Sequence, residues 1–165
     1  MRTGESMTKQ DERTVKESIV ETIHLIRPNH LNSAGRLFGG ILMQWIDEIA
    51  GLVAKRHARI DVTTVSVDDL HFIRGAYLGD VVVLTGKITY VGHTSMEIKV
   101  RTSVESLEGE HTLINEAYFT MVALDEKGNP VTVPKLRLET VEERQNWEGA
   151  KKRREIRVMR QKEGF

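Results

Sequence analysis

Residues 39–56 read GGILMQWIDEIAGLVAKR, and this stretch decides the fold that we expect for the chain. When its positions are plotted at about 100° per residue, the polar ones fall on one narrow stripe and almost all the others are apolar. The stripe consists of Gln44, Glu48, Gly51 and Lys55. A helix of this length spans about 25 Å. We therefore predict a long helix that is buried on most sides and wrapped by a sheet.

Strand-like segments lie on both sides of this helix. Upstream, residues 17–26 mix apolar, polar and β-branched residues and end before Pro28, a pattern typical of a strand. Downstream, the hydrophobic period changes to two. Further strands are predicted at residues 62–72, 78–91, 96–101 and 115–124. Because no crossover helix separates them, we expect an antiparallel sheet packed on the helix, which is an α+β fold.

The last part of the chain is strongly charged. Residues 135–165 contain ten Lys or Arg and six Glu, which gives this segment a net charge of about +4. Residues 1–134 accordingly have a net charge of about −4. Thr140 and Glu143 form a capping box, so we predict a helix over residues 141–160. The chain is accordingly divided into a flexible N-terminus at 1–16, an α+β domain at 17–138 and a basic helical tail at 139–165.

Composition excludes several classes of protein. The chain has 165 residues, of which 39% are hydrophobic, and this suits one domain with its own core. Its 24 basic and 24 acidic residues leave no net charge, whereas DNA-binding domains usually have a basic excess. It has no cysteine, which excludes a disulfide framework, and its six histidines lack metal-ligand spacing. With no long apolar run and no secretory signal, we expect a cytoplasmic protein with no metal, nucleic acid or membrane span.

Two features near the central helix point to chemistry. Asp47 and Gly51 are both poor residues for a helix interior, Gly51 by about 1 kcal/mol relative to alanine. Together these two unfavourable residues indicate a cleft in which a substrate meets an acid. The alternative interpretation is that Asp47 and Glu48 only extend the solvated polar stripe of the helix. Before the helix, residues 32–40 form a glycine-containing loop, and free N–H groups at a helix start bind oxyanions. This loop is neither a P-loop nor a dinucleotide-binding motif.

Three motifs occur together and in a fixed order. The first, NSAGRLFGGILMQWIDEIAG at residues 32–51, combines an asparagine, a Gly-Gly pair and a helix acid. The others are FIRGAYLGDVV at 72–82 and GHTSMEI at 92–98. Over about residues 18–138, the chain resembles the cytosolic branch of the hotdog-fold acyl-CoA thioesterases. Two positions depart from that family's pattern: Gly75 replaces a proline, and His93 stands where Lys or Arg is common.

The resemblance implies a hotdog fold, in which an antiparallel sheet wraps one helix, and dimers or trimers of dimers with active sites at the dimer interface. It implies that Asp47 acts as general base on water or as nucleophile, that the Gly39 N–H holds the oxyanion, and that Asn32 orients the water or the thioester carbonyl. Because Gly39 and Asp47 lie roughly 12 Å apart along one helix, we expect them to meet across a two-fold axis. The products are CoA and a free acid, and no cofactor is needed.

CoA carries several phosphate charges, and residue chemistry gives candidates for binding it. The residues concerned are Gly40 and the turn of Gly92, His93, Thr94 and Ser95. N–H and hydroxyl groups in such a turn suit pantetheine or phosphate. The basic tail, through residues 151–154, is a second candidate for contact with the nucleotide, and the alternative is a solvated helix face.

Three other functions are weighed against hydrolysis. A non-catalytic acyl-CoA sensor with the same fold is the main alternative, and the joint presence of Asn32, Gly39 and Asp47 favours the enzyme. A hotdog dehydratase needs a catalytic histidine near the acid, and none lies between Leu31 and Arg56. Nucleic-acid binding through the tail is poorly supported, because aromatic residues are not interleaved with the basic ones. We therefore predict an acyl-CoA thioesterase.

Overall fold

A five-stranded antiparallel sheet with one long helix on its inner face forms the body of the protein in the computed structural model, which describes residues 11–165. In chain order the elements are β1 (Glu12–Thr14), β2 (Val20–Leu25), α1 (Gly39–Ala58), β3 (Asp61–Phe72), β4 (Val81–Val91), β5 (Ser95–Glu105), β6 (His111–Leu124), β7 (Lys135–Arg137) and α2 (Val141–Glu163). The sheet has the order β2-β4-β5-β6-β3, so β2 and β3 are its two edges. The predicted α+β plan with an antiparallel sheet is confirmed.

Helix α1 packs on the sheet through one apolar face. Its fully buried positions recur at helical spacing and include Leu42, Ile46, Ile49, Ala50, Val53 and Ala54. Gly86 on β4 permits the close approach, because an added Cβ there would lie 2.8 Å from Val53 Cγ2. The helix ends at Ala58, and Arg59 follows with a left-handed φ of 54°.

The opposite face of α1 remains open. Met43 and Leu52 are 43% and 48% exposed, and Asp47 is also exposed. The prediction of burial on most sides is therefore wrong for the single chain, because five strands cover only one side of the helix. Large apolar side chains exposed beside the polar stripe are a reason to expect that another surface covers part of this face.

The predicted alternation along β5 is confirmed. Met96, Ile98 and Val100 are buried on the side of α1, whereas Lys99 and Arg101 lie on the outer face. A hairpin at residues 92–94, within the turn that we named as a candidate for CoA, joins β4 to β5. Strands β5 and β6 both extend past their predicted ends, because the polar residues near the turn at 106–110 interrupt the apolar pattern without ending the pairing.

The segment before β2 belongs to the folded body. Strand β1 pairs in parallel with β7. Arg13 is only 7% exposed and donates to the carbonyl of His57 at 2.5 Å, and Val15 is buried. Residues 11–16, which we assigned to a flexible N-terminus, therefore belong to the folded body, since β1 pairs with β7 and the Asp11 carbonyl accepts from the Lys135 N–H. The remainder of that predicted segment, residues 1–10, lies outside the described residues.

Helix α2 lies across the outer face of the sheet, opposite α1. Its predicted capping box is confirmed, because Thr140 Oγ1 accepts from the Glu143 N–H at 3.1 Å and the Glu143 carboxylate accepts from the Thr140 N–H at 3.2 Å. Trp147 stacks at a tilt on Tyr90 of β4, with ring centroids 4.4 Å apart. No helix in residues 11–165 is long and apolar enough to cross a membrane.

A buried ion pair fixes α2 to the sheet. Glu97 on β5 is 3% exposed and accepts two hydrogen bonds from Arg153, at 3.1 and 2.8 Å. The Arg153 guanidinium also stacks on Tyr118, 3.6 Å from the ring centroid, and burial raises the pKa of Tyr118 to about 12. Arg153 is thus engaged within the chain, because a buried carboxylate without its partner is costly. This corrects its assignment to a freely available basic tail.

Candidate active site

Asn32 shapes the loop that leads into α1. Its Oδ1 atom accepts the backbone N–H groups of Ala34 and Arg36 at 3.0 and 3.1 Å, and its own N–H donates to the Arg36 carbonyl at 2.8 Å. This local pattern is typical of an asparagine or aspartate side chain. The side-chain amide nitrogen has no acceptor among the described residues, so it is available to a ligand.

Gly39 is the first residue of α1. Phe38 precedes it as N-cap, and the Phe38 carbonyl accepts from Ile41 and Leu42. Within residues 11–165 the Gly39 N–H has no hydrogen-bond acceptor, as is usual at a helix start. The positive end of the helix dipole adds to the attraction for an oxyanion at this point. The ring of Phe72 lies beside Gly39, with its Cζ atom 3.5 Å from where a Cβ would be.

Asp47 lies two turns further along α1, on its open face. Thr64 of β3 donates its hydroxyl to Asp47 Oδ1 at 2.6 Å, and the same hydroxyl lies 3.4 Å from Met121 Sδ. A short hydrogen bond to a carboxylate holds its second oxygen in a defined direction. Thr64 was missed from the sequence, since a threonine in a strand rich in β-branched residues carries no signal. Only the packing of α1 on β3 brings it to the acid.

Two concave surfaces flank α1 where it meets β3. The first, called the Asn32 cavity, has a volume of about 360 Å³ and is lined by Asn32, Arg36, Gly39, Phe72 and Arg74 among others. The second, called the Asp47 groove, has a volume of about 680 Å³ and is lined by Asp47, Gly51, Leu52, Val62, Thr64 and Met121 among others. Within one chain, Asn32 and Gly39 therefore share a cavity from which Asp47 is absent.

The residues predicted to hold CoA are not brought together. Gly40 is exposed at the start of α1, against the ring of Phe38. Gly92, His93, Thr94 and Ser95 form the β4–β5 hairpin turn, closed by the Gly92 N–H to the Ser95 carbonyl at 2.8 Å. This turn lines neither the Asn32 cavity nor the Asp47 groove. Across residues 11–165, no group of three or more His, Asp or Glu side chains is arranged to hold a metal ion.

Comparison with known proteins places this geometry in a family. The family model described as the thioesterase superfamily matches residues 34–108. The uncharacterized acyl-CoA thioester hydrolase YkhA of Bacillus subtilis is 40% identical over 138 residues, which are 83% of this chain and 80% of that protein. The cytosolic acyl coenzyme A thioester hydrolase of Rattus norvegicus is 34% identical over 85% of this chain, but the match spans only 38% of that protein.

Solved structures agree with these relatives. A structure described as an apo-hexameric acyl-CoA thioesterase superposes with a TM-score of 0.87 at 40% identity, over 91% of this chain and 97% of that one. An acyl-CoA hydrolase from Staphylococcus aureus, solved with butyryl coenzyme A and coenzyme A, superposes with a TM-score of 0.88 at 32% identity, over 93% and 94% of the two chains. The predicted fold and family are confirmed: the chain belongs to the thioesterase superfamily and has the hotdog fold.

Proposed function

We propose that this chain is an acyl-CoA thioesterase, which hydrolyses the thioester of a fatty acyl-CoA to the free acid and CoA. The observation that carries the proposal is the Asp47 carboxylate, which accepts the Thr64 hydroxyl bond and lines a groove on the open face of α1. The relatives are named acyl-CoA thioester hydrolases, which supports the same substrate class here. The name of the rat relative likewise supports a cytoplasmic location.

The spacing of three polar residues supports their roles. Variants of the Staphylococcus aureus enzyme have been solved with an aspartate, an asparagine or a threonine replaced by alanine. In that enzyme the asparagine precedes the aspartate by 15 positions, and the aspartate precedes the threonine by 17. Asn32, Asp47 and Thr64 have the same two spacings in this chain. We therefore assign these three residues to the active site.

The proposed reaction replaces a C–S bond by a C–O bond. Asp47 removes a proton from the attacking water, or attacks the thioester carbon itself to form an anhydride that water then opens. Negative charge develops on the carbonyl oxygen, where the Gly39 N–H and the Asn32 amide donate hydrogen bonds. The CoA sulfur leaves as the carbonyl re-forms and takes up a proton. No step in this sequence requires a cofactor.

A dimer through β3 supplies the missing contact between Gly39 and Asp47. Within residues 11–165 one edge of β3 has no paired strand, and Val65 and Phe72 are 56% and 51% exposed on it. Such a long unpaired edge is a template for pairing with a second copy. With a two-fold axis near Ser66, the middle of β3, two copies of this strand pair antiparallel. The half of one strand that contains Thr64 then lies beside the half of the partner strand that contains Phe72. The Asp47 groove of one subunit then faces the Asn32 cavity of its partner.

Further parts of the proposal follow from the family. Three such dimers form a hexamer, for which the hexameric relative is the support. The CoA moiety starts in the Asn32 cavity, which has Arg36 and Arg74 on its wall and Gly40 beside it. A contact with the 92–95 turn requires the turn of another subunit, because in one chain this turn pairs beside Val122 and the cavity lies beside Ile114, towards the opposite end of the sheet. The exposed cations of the C-terminal helix are a further candidate for the nucleotide end.

The experiment that tests the function is thiol release from acyl-CoAs of short, medium and long chain length. The chain contains no cysteine, so a thiol-reactive dye reports only the released CoA. We expect hydrolysis of at least part of the series. Binding of acyl-CoA without release at any chain length would contradict the enzyme and favour the non-catalytic sensor with the same fold.

Asparagine 32 offers a test that separates loop shape from catalysis. Asn32→Asp keeps the oxygen that accepts from Ala34 and Arg36, but it removes the amide donor and adds a negative charge. We expect thiol release to fall by about 100-fold, because the oxyanion loses one donor. Asn32→Ala is the matched variant, which also loses the loop contacts. Normal kcat in Asn32→Asp together with a low kcat in Asn32→Ala would restrict Asn32 to shaping the loop.

A further inference from the structure

The Asp47 groove contains a glycine that the proposed mechanism does not use. Gly51 lies one turn beyond Asp47 on α1, and a glycine inside a helix is less stable than alanine. An added Cβ at Gly51 would have one neighbour within 4 Å, Met121 Cε at 3.9 Å. Packing inside the chain thus does not require glycine here, in contrast to Gly86. Its effect is to leave space in the groove.

The groove continues from the acid as an open channel with a mainly apolar lining. Beyond Asp47, its apolar lining consists of Gly51, Leu52, Val62 and Met121, and Glu48, Lys55 and Thr63 also line it. The ion pair of Lys55 with Asp61, at 3.0 Å, stands at the far end. Asp47 and Lys55 are eight residues apart, so this channel runs along roughly 12 Å of helix.

Charge decides which part of the substrate enters this channel. Acyl-CoA has an apolar acyl chain, its apolar arm, and a CoA part that carries several phosphates, its phosphate-bearing arm. The Asp47 groove is lined by two carboxylates, Asp47 and Glu48, which repel phosphate, and its cation Lys55 is already paired with Asp61. The Asn32 cavity instead has Arg36 and Arg74. The apolar arm therefore suits the groove, and the phosphate-bearing arm suits the cavity.

We propose that Gly51 is a specificity-determining residue, which opens the channel between α1 and β3 to acyl chains of medium length. This inference rests on the proposed thioesterase activity. The acyl chain passes over the Gly51 backbone and lies between Leu52 and Met121. The Lys55–Asp61 pair marks where the channel meets water. Methylenes beyond this point therefore add no binding free energy.

Chain-length profiles of three variants test the proposal. We measure kcat/KM by thiol release with acetyl-, butyryl-, octanoyl-, decanoyl- and palmitoyl-CoA. For the wild type, kcat/KM rises by about four-fold per methylene until the channel is filled. Gly51→Leu fills the channel, so the ratio of decanoyl-CoA to acetyl-CoA activity falls by about ten-fold or more. Leu52→Ala widens it, so the same ratio rises.

Gly51→Ala separates narrowing of the channel from damage to the fold. It raises the Tm by about 2–4 °C, because alanine is the better helix residue, and it lowers the decanoyl-to-acetyl ratio by several-fold. A uniform fall across all chain lengths in folded Gly51→Leu, or an unchanged ratio, overturns the assignment of Gly51 while thioesterase activity stands. Absence of thiol release by the wild type, by contrast, overturns the proposed function.

Discussion

Replacing Asp47 with asparagine is expected to lower kcat by about three orders of magnitude while leaving the fold intact. Asparagine has the same shape, and its oxygen still accepts the Thr64 hydroxyl bond that holds the side chain in place. It is neither a base nor a nucleophile at neutral pH, so both versions of the mechanism lose their reacting group. Thiol release with saturating acyl-CoA measures kcat directly, and the Tm reports the fold.

The matched control is Glu126→Gln. Glu126 is an exposed carboxylate on the turn after β6, outside the Asn32 cavity and the Asp47 groove, and the substitution removes the same charge. We expect wild-type kcat and KM from it. A kcat within a few-fold of wild type in Asp47→Asn would remove Asp47 from the chemistry and leave it as a helix residue of the open face.

Local patterns in the sequence are sufficient to predict most of the fold. The helical periodicity of α1 and the alternation of β5 depend on neighbouring residues, and both elements form in the structure, although α1 is buried on one face only. The capping box at Thr140 is also a local signal. The β1–β7 pair is different, because Glu12 pairs with Lys135 from the other end of the chain. No local pattern records such a partner, and the strands are only three residues long.

The residues of the candidate site also fall into those that a local motif predicts and those that only the folded structure brings together. Asn32, Gly39 and Asp47 belong to one continuous motif, so a single stretch of sequence predicts them as candidates. Thr64 enters only when β3 folds back along α1, and its hydroxyl then reaches the acid. Arg153 shows the reverse error. Its position in a basic run predicts a solvent-facing cation, whereas its bond to buried Glu97 depends on how α2 crosses the sheet.

Two inactive variants are expected to restore each other's activity when they assemble together. Gly39→Pro removes the N–H that holds the oxyanion, and proline is well tolerated at the first position of a helix. It lowers kcat by about 100-fold or more, as Asp47→Asn does by another route. In a mixed dimer, one site combines both defects. The other site combines the intact Asp47 of one subunit with the intact Gly39 of its partner.

Coexpression of the two variants with different affinity tags tests this arrangement. Random pairing makes about half of the dimers mixed, with one intact site in two, so the unfractionated protein recovers about a quarter of wild-type activity. Each variant purified alone is the control and stays inactive. If Gly39 and Asp47 of the same chain formed the site, every site in a mixed dimer would contain one defect and no activity would return. Recovery is expected because the Asn32 cavity and the Asp47 groove are separate within one chain. Pairing of two subunits along the β3 edge brings the cavity of one subunit to the groove of the other.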